Sequence, residues 1–356
     1  MDIKKIDSNF ILKNVNRTDI IWRDCREQPF SIHGVYFDKC ADKFIRMPLE
    51  VAEKVSDGVK YLATFSPGGR IRFRTNSPHI ALRVVECKTF DIMSHMPISG
   101  EYGFSIYVDK KFHKFISPCQ WDIEGKTDFI TFDGIVSLNK EFHDIEIYMP
   151  MYQSVKEVII GLNEQAEVLP PKAYRHAKPV VFYGSSITQG GCVSHSGNDY
   201  VNLLSRWLDT DVINLGFSGK AKGEQAMADY LATLDASVFM IDYDHNATTV
   251  DDLERTHYPL YKTIRQKNPN TPIVFSSRPD FENGADGDKR REIILESYKK
   301  AVAEGDEFVD FIDGETLFDK EDRDCCTVDG CHPNDLGFYR MAKNILPTLD
   351  KWLNKK

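Results

Sequence analysis

The segment Asp329-Gly-Cys-His332 places a carboxylate and an imidazole three residues apart, close to the C-terminus. Within one helical turn or tight loop, such a carboxylate can hold the ring in one tautomer and stabilise the imidazolium that forms when the ring takes a proton. A base of this kind needs a nucleophile. Ser186 follows the apolar run Pro179–Tyr183, so it is predicted to lie at the carboxyl end of a strand. These residues predict a serine hydrolase, although an Asp-x-x-His pair alone also occurs by chance.

Two further loops offer hydrogen-bond donors for an oxyanion. Attack of a serine on an ester creates a tetrahedral oxyanion that needs donors pointed at it. Gly219 ends the segment Asn-Leu-Gly-Phe-Ser-Gly, and Asn246 ends Asp-Tyr-Asp-His-Asn. The predicted oxyanion hole consists of the N–H groups of Ser186 and Gly219 and the amide of Asn246. Either residue alone could be a turn or loop cap, but the motifs in this order favour catalysis.

The second half of the chain alternates apolar strands with helical patterns. Predicted strands cover 180–183, 212–217, 238–243, 273–276 and 309–312, and the clearest predicted helices cover 200–208, 253–266, 289–303 and 336–353. Near-continuous apolar strands between helices are typical of a doubly wound parallel sheet covered on both faces. Ligands bind such sheets beyond the carboxyl ends of the strands. Ser186, Gly219 and Asn246 each follow a predicted strand and should meet there.

The first half instead shows short runs with strand character between turns. These runs cover 61–65, 71–75, 80–85, 103–108 and 144–149, and several alternate apolar with polar residues. The pattern predicts an antiparallel β-sandwich or jelly roll. Leu169-Pro-Pro-Lys172 is a stiff, strand-breaking segment. We therefore predict an all-β domain over residues 1–168 and an α/β domain over residues 173–356.

Composition limits the possible functions. The chain has 356 residues, 42% of them hydrophobic, and a net charge of −9, which provides no basic face for nucleic acid and disfavours an anionic membrane. No apolar stretch is long enough to span a membrane, and the N-terminus lacks a signal-peptide core. As written, the chain is expected in the cytosol, or secreted or periplasmic if a leader was trimmed. Its eight cysteines lack a C-x-x-C pair and are predicted to be reduced; no metal and no cofactor are expected.

The motifs resemble those of the SGNH hydrolases, also called the GDSL esterase and lipase family. The resemblance covers roughly residues 179–353 and implies a flavodoxin-like three-layer α/β/α fold. It also implies that Ser186 is the nucleophile, that Asp329 and His332 complete a triad, and that Gly219 and Asn246 serve the oxyanion hole. A jelly roll in front of such a domain is similar to some two-domain carbohydrate esterases that remove acetyl groups from plant polysaccharides, a likeness of architecture.

Two positions depart from the family pattern. The usual Gly-Asp-Ser is Gly-Ser185-Ser here, and the usual Gly-x-Asn-Asp is Asp244-His-Asn-Ala, so only the Asn carries over. His245 is interpreted as a strand-end cap rather than a pocket residue, and Cys331 as a packing residue. The segment 280–288 is interpreted as an acidic surface loop. Histidines other than His332 are treated as surface or packing residues.

The predicted function is that of a metal-independent serine esterase acting on acyl, most simply acetyl, esters of a carbohydrate. The expected partner is a small-molecule or glycan ester, with the oligomeric state left open. Two alternatives remain from the sequence. One is a carbohydrate-binding protein with an inactive SGNH-like domain, which the missing Asp beside the nucleophile keeps open. The other is a lipase or thioesterase of the same family.

Overall fold

The computed structural model describes residues 15–89, 92–280, 282 and 286–355. Strands make up most of the N-terminal half. In chain order they are β1 (Ile20–Asp24), β2 (Ser31–His33), β3 (Tyr36–Asp38), β4 (Lys43–Ile45), β5 (Arg70–Thr75), β6 (His79–Cys87), β7 (Phe104–Val108), β8 (Lys111–Ile116), β9 (Phe129–Ser137), β10 (His143–Tyr148), β11 (Ser154–Asn163) and β12 (Val168–Leu169). Four short helices interrupt them: α1 (Leu49–Val55), α2 (Asp57–Leu62), α3 (Ile98–Glu101) and α4 (Gln120–Ile123).

These strands form two antiparallel sheets that share a core. One has the order β1-β11-β6-β9, and the other has the order β12-β5-β10-β7-β8 with β2 also paired to β5; β3 and β4 form a separate ribbon. Along β6, Ile80, Leu82 and Val84 are buried whereas Arg83 is exposed, which is the alternation of a strand with one face on a core. Buried residues of both sheets pack in one cluster. The predicted all-β N-terminal region is confirmed.

The C-terminal half is a parallel sheet between helices. Its strands are β13 (His176–Gly184), β14 (Thr210–Gly216), β15 (Val238–Asp242), β16 (Ile273–Ser276) and β17 (Val309–Ile312). Its helices are α5 (Ser186–Gln189), α6 (Tyr200–Leu208), α7 (Gln225–Leu231), α8 (Val250–Lys267), α9 (Gly287–Ala303) and α10 (Asp335–Leu353). The order β14-β13-β15-β16-β17 is the flavodoxin-like 2-1-3-4-5 arrangement. All five predicted strands and the four predicted helices are present.

One predicted strand of the N-terminal half is wrong. Residues 61–65 were expected to be a strand, but they contain the end of α2 and the turn after it. Ser56 caps this helix by accepting a hydrogen bond from the N–H of Val59. Val59 and Leu62 lie on its buried face and pack into the core of the α/β half. Helical spacing of apolar residues and tertiary packing therefore outweigh the local strand propensity.

Buried arginines join the two halves. The Arg46 guanidinium donates to the carbonyl oxygens of Asn214 and Gly216, at 2.9 Å and 2.7 Å, at the end of β14. Arg70 is fully buried and forms an ion pair with Asp211 on the same strand. These contacts fix the β-sandwich against the edge of the parallel sheet.

Two further findings concern the whole of the described chain. All eight cysteines are free thiols, as predicted. Among the described residues, no helix combines the length and the apolar character needed to cross a membrane.

Candidate active site

Ser186 lies at the sharp turn where β13 passes into α5. The Ser185 hydroxyl caps this short helix by accepting a hydrogen bond of 3.2 Å from the N–H of Ile187. Gly184 is required here because a Cβ atom would lie 2.0 Å from Thr188 Oγ1 and 2.4 Å from the Asp242 carbonyl oxygen. The turn therefore directs the Ser186 hydroxyl beyond the carboxyl end of the sheet. Ser185 replaces the family's carboxylate with a neutral, buried cap.

A chain of hydrogen bonds joins Ser186 to the Asp-x-x-His segment. The Ser186 Oγ atom lies 2.9 Å from Nε2 of His332, and Nδ1 of His332 lies 2.8 Å from Oδ2 of Asp329. The second carboxylate oxygen of Asp329 accepts hydrogen bonds from the main-chain N–H groups of Cys331, at 3.1 Å, and His332, at 2.7 Å. The loop thus holds the carboxylate through its own backbone. With Nδ1 protonated toward Asp329, Nε2 is free to accept the serine proton.

The surroundings of Asp329 favour its ionised form. Burial alone would raise its pKa, but the hydrogen bonds from the His332 ring and from the main-chain N–H groups outweigh this and lower the pKa to about 2. A fixed negative charge beside Nδ1 stabilises the imidazolium form of His332. This electrostatic arrangement suits a histidine that cycles between neutral and protonated states.

The two other predicted loops are tied to this serine turn. The N–H of Phe217 donates to the Gly184 carbonyl at 2.9 Å, and the Asn246 side-chain amide donates to the Phe217 carbonyl at 2.8 Å. Gly219 has a φ of +67°, a left-handed conformation that glycine adopts without strain. In the part of the chain that the structure describes, the Gly219 N–H has no hydrogen-bond acceptor. The structure therefore brings the serine, glycine and asparagine loops together at one edge of the sheet.

Comparisons with known proteins agree with this geometry. Residues 177–350 match the model of the GDSL-like lipase/acylhydrolase family, and residues 20–168 match that of the N-terminus of SGNH-hydrolase-type esterases. The C-terminal domain belongs to the SGNH hydrolases. Its family and its fold identify the chain as a serine hydrolase that cleaves ester bonds. Among curated protein sequences, none matches this chain.

Several solved structures share both halves of this SGNH protein. A GDSL-like lipase from Bacteroides ovatus is 27% identical, with a TM-score of 0.81, over 95% of this chain and 99% of that one. The salicylyl-acyltransferase SsfX3 of a tetracycline biosynthetic pathway is 19% identical, with a TM-score of 0.74, over 92% and 96%. A family two carbohydrate esterase from Clostridium thermocellum, solved with cellohexaose, is 14% identical, with a TM-score of 0.62, over 91% and 99%. At 19% and 14% identity, the acyltransferase and the carbohydrate esterase show that the fold is shared.

A pocket of about 320 Å³ opens beside His332. Both halves of the chain line it, and most of its wall is apolar: Gly58, Tyr61, Leu62, Met93, His95, Met96, Tyr152, Ser218, Lys220 and His332. Seven of these ten residues precede the SGNH domain, since they have numbers between 58 and 152. The β-sandwich and its helices therefore form part of the cleft, a role that the sequence did not predict.

Two side chains at this cleft were missed in the sequence. His95 was treated as a surface or packing residue, but its ring centroid lies 5.9 Å from that of His332. The Cys192 sulphur lies within 4.8 Å of one ring nitrogen of each histidine. Neither residue has a partner at a recognisable spacing in the sequence. The long-range packing of the β half on the SGNH domain brings them to the site.

The interpretation of His245 as a strand-end cap is wrong, and so is that of Asp280 as part of a surface loop. His245 Nε2 forms an ion pair with Oδ1 of Asp280 at 2.8 Å, and both side chains are largely buried. Burial would lower the pKa of His245, but Asp280 and a contact with Cys331 raise it to about 10. Arg278 also pairs with Asp280, at 2.6 Å. Residues 281 and 283–285 of the predicted loop lie outside the described residues.

Buried charge also lies under the serine turn. Asp242, at the end of β15, accepts hydrogen bonds from Thr188 and from Tyr200, at 3.3 Å and 3.2 Å. Burial is the largest cause that raises its pKa, to about 8, and the neighbouring charge of Asp244 adds to it. Asp242 is therefore largely protonated at neutral pH and acts as a buried hydrogen-bonding group.

Proposed function

We propose that the chain hydrolyses acyl esters of a carbohydrate, acetyl esters in the first instance, with Ser186 as nucleophile, His332 as base and Asp329 as its orienting carboxylate. The observation that carries the proposal is the continuous pair of hydrogen bonds, 2.9 Å and 2.8 Å, that links these three side chains, of which His332 lines the pocket.

Acylation begins when Nε2 of His332 removes the proton from Ser186 Oγ. The oxygen then attacks the ester carbonyl carbon and forms a tetrahedral oxyanion. We assign the N–H groups of Ser186 and Gly219 and the amide of Asn246 as its donors. Each such donor is typically worth about 10²–10³-fold in turnover because it meets charge that develops only in the transition state.

The same histidine completes both halves of the reaction. Its imidazolium, held by the charge of Asp329, gives the proton to the departing alkoxide, which leaves as an alcohol such as a sugar hydroxyl. His332 then removes a proton from water, which attacks the acyl-serine ester. Collapse of the second tetrahedral intermediate releases the carboxylic acid and returns the proton to Ser186. No step needs a metal or a cofactor.

Two observations support a carbohydrate ester as substrate. The carbohydrate esterase solved with cellohexaose shares the two-domain fold over 91% of this chain. The pocket joins apolar and aromatic walls, among them Tyr61 and Tyr152, to the polar groups of His95 and Lys220. Sugar rings have apolar faces and polar edges, so a mixed wall of this kind suits them.

The test compares Ser186→Ala with Ser185→Ala in the full chain. Substrates are a p-nitrophenyl acetate and acetylated xylo-, manno- and cello-oligosaccharides, and acetate release is measured. Ser186→Ala should lose at least about 10³-fold in kcat. Ser185→Ala removes a neighbouring hydroxyl that only caps a helix, so it should keep most of the activity and lose about 1 kcal/mol of stability. Equal activity of Ser186→Ala and the unaltered chain would refute the mechanism.

The size of the pocket favours a second candidate substrate. A volume of about 320 Å³ with mostly apolar walls exceeds what an acetyl group fills, so a larger acyl group could occupy it. A series of p-nitrophenyl esters from acetate to octanoate and benzoate distinguishes the two. A kcat/KM that falls steeply beyond acetate places the sugar in the pocket, whereas a rise with acyl size places the acyl group there.

A further inference from the structure

We propose that His95, Cys192 and His332 form a binding site for Zn²⁺ or a cation of similar chemistry, and that the bound cation blocks the esterase. One donor atom from each residue, two imidazole nitrogens and one thiol sulphur, lies within 4.8 Å of the other two. The inhibition rests on the proposed role of His332 as base. The binding itself does not.

The donor set matches zinc rather than a hard cation. Zinc binds imidazole nitrogen and thiolate sulphur in tetrahedral sites, whereas calcium and magnesium take oxygen ligands. With metal–ligand distances of ~2.0–2.3 Å, zinc donors lie roughly 3.3–3.8 Å apart. Because the donor atoms lie within 4.8 Å of one another, the three side chains need to close by at most about 1.5 Å, a distance that side-chain torsions cover.

The orientation of His332 also suits a metal ligand. Its Nδ1 faces Asp329 at 2.8 Å, and its Nε2 faces the Ser186 hydroxyl. A carboxylate behind a histidine fixes the tautomer and raises the basicity of the other nitrogen, as it does in many zinc sites. Ser186 Oγ lies 2.9 Å from Nε2, so a cation bound to that nitrogen has to displace the serine hydroxyl.

The other two ligands are not engaged elsewhere. Within the described residues, neither the His95 ring nitrogens nor the Cys192 sulphur takes part in a hydrogen bond. His95 is half-buried and its ring lies 5.9 Å from that of His332, measured between centroids. Both side chains can therefore turn toward a cation without breaking a hydrogen bond of the described structure.

The backbone at Cys192 is unusual. Its φ is +72°, in the left-handed region that L residues other than Asn and Asp rarely adopt, and it is 5% exposed. A glycine would relieve the strain, as Gly190 does two residues earlier with a φ of +98°. Strained residues of this kind concentrate at functional sites. Here the strained conformation holds a thiol against the catalytic histidine.

A neighbouring cluster makes a useful contrast. His245, Asp280 and Cys331 also have donor atoms within 4.8 Å of one another. Asp280 already pairs with the Arg278 guanidinium at 2.6 Å and with His245 at 2.8 Å. The positive charge that a cation would bring is thus supplied by the protein, so we place the zinc site at His95 and not here.

Filling the site would stop catalysis reversibly. A cation on Nε2 of His332 occupies the lone pair that must accept the Ser186 proton. Binding also requires loss of the Cys192 thiol proton, so the metal competes with a proton as well as with the serine. We expect Zn²⁺ to inhibit ester hydrolysis, a chelator to restore it, and Mg²⁺ to have no effect.

The first experiment titrates Zn²⁺ into the full chain and each variant, with every rate expressed relative to that variant's own metal-free rate. His95→Ala and Cys192→Ala should raise the half-inhibiting concentration by at least about 10- to 100-fold. His113→Ala and Cys40→Ala, which remove an exposed imidazole and an exposed thiol, and Cys331→Ala should leave it unchanged. Equal inhibition of all variants would overturn the proposal.

The second experiment does not depend on activity. Co²⁺ takes the same ligands as zinc, and a cobalt–thiolate bond gives a charge-transfer band in the near ultraviolet. Ser186→Ala should show this band, and the added substitution Cys192→Ala should abolish it. A band that survives Cys192→Ala places the metal elsewhere and refutes the site. A chain without esterase activity that still shows the Cys192-dependent band would refute the proposed function and support the site.

Discussion

The side-chain amide of Asn246 donates a 2.8 Å hydrogen bond to the main-chain carbonyl of Phe217, two residues before Gly219. This bond uses one of the two amide hydrogens and ties the loop after β15 to the loop after β14. In the proposed mechanism, the second hydrogen is donated to the substrate oxyanion. This bond therefore fixes the Asn246 amide against the loop that contains Gly219, and the two proposed oxyanion donors need little reorganisation during the reaction.

Asn246→Ala tests this arrangement. We expect kcat to fall by about 10²–10³-fold with little change in KM, because the donor meets charge that develops only in the transition state. Asn268→Ala is the matched control, since its amide also donates to a main-chain carbonyl, that of Ala232 at 3.0 Å, away from the site. Thermal unfolding of both variants separates loss of the loop contact from loss of catalysis. An unchanged kcat in Asn246→Ala would remove it from the oxyanion hole.

Asp329→Asn should lower kcat by up to about 10⁴-fold, because an amide neither selects the reactive tautomer of His332 nor stabilises its imidazolium. The pKa of Asp329 is lowered to about 2, so the carboxylate is ionised throughout the usual assay range and the loss should be similar at every pH well above that value. Asp324→Asn, an exposed carboxylate of the preceding turn, serves as control. A loss confined to low pH would contradict the assigned role.

Asp242→Asn should change how stability depends on pH. Asp242 has a pKa of about 8 in the folded state against 3.8 as its ordinary value, so the folded chain holds a proton that the unfolded chain releases. Protonated Asp242 contributes on the order of several kcal/mol to the free energy of unfolding. This contribution is complete below about pH 4 and is lost as the pH rises through about 8. The asparagine variant should be more stable than the unaltered chain at pH 8, and its free energy of unfolding should change less with pH.

Urea unfolding at a series of pH values measures this effect. The lowered pKa values of Asp280 and Asp329, each about 2, act between about pH 4 and 2, so they do not obscure the upper range. Comparison of the two proteins isolates Asp242 from the other buried acids. Parallel stability curves for both proteins would show that Asp242 is already ionised in the folded chain.

Arg46→Ala should destabilise the chain by at least about 3 kcal/mol, because it leaves three buried carbonyl groups without their charged donor. Arg46 is 3% exposed and also donates to the Leu62 carbonyl at 2.7 Å, besides Asn214 and Gly216. The control is Arg74→Ala, whose guanidinium is exposed and donates to a single carbonyl. Equal urea midpoints for the two variants would show that this contact between the halves contributes little.

Local patterns predicted most of the secondary structure of the second half. The apolar runs and helical periodicities of the second half match the observed elements closely, as in the helix Tyr200–Leu208. The four predicted helices have 9 to 19 residues, long enough for their hydrophobic period to show, and the predicted strands are near-continuous apolar runs. The prediction of a strand at 61–65 failed because the burial of Val59 and Leu62 against a distant sheet selects a helix there.

Residues that depend on long-range packing were not predictable in the same way. His245 and Asp280 lie 35 positions apart in the sequence and form a buried ion pair only because the loops after β15 and β16 meet. His95 and Cys192 come from different halves of the chain. No spacing rule connects them, so the sequence assigned them to ordinary surface or packing roles.

By itself, the sequence predicted the alternation of strands and helices in the second half, the family resemblance and the candidate site residues Ser186, Gly219, Asn246, Asp329 and His332, because each is encoded in a short pattern. The tertiary structure alone decided that the β half lines the pocket, that Ser185 acts as a helix cap, and that a histidine and a strained cysteine lie near His332. Those relations follow from the packing of two halves through buried arginines, and packing of that kind leaves no local pattern in a single sequence.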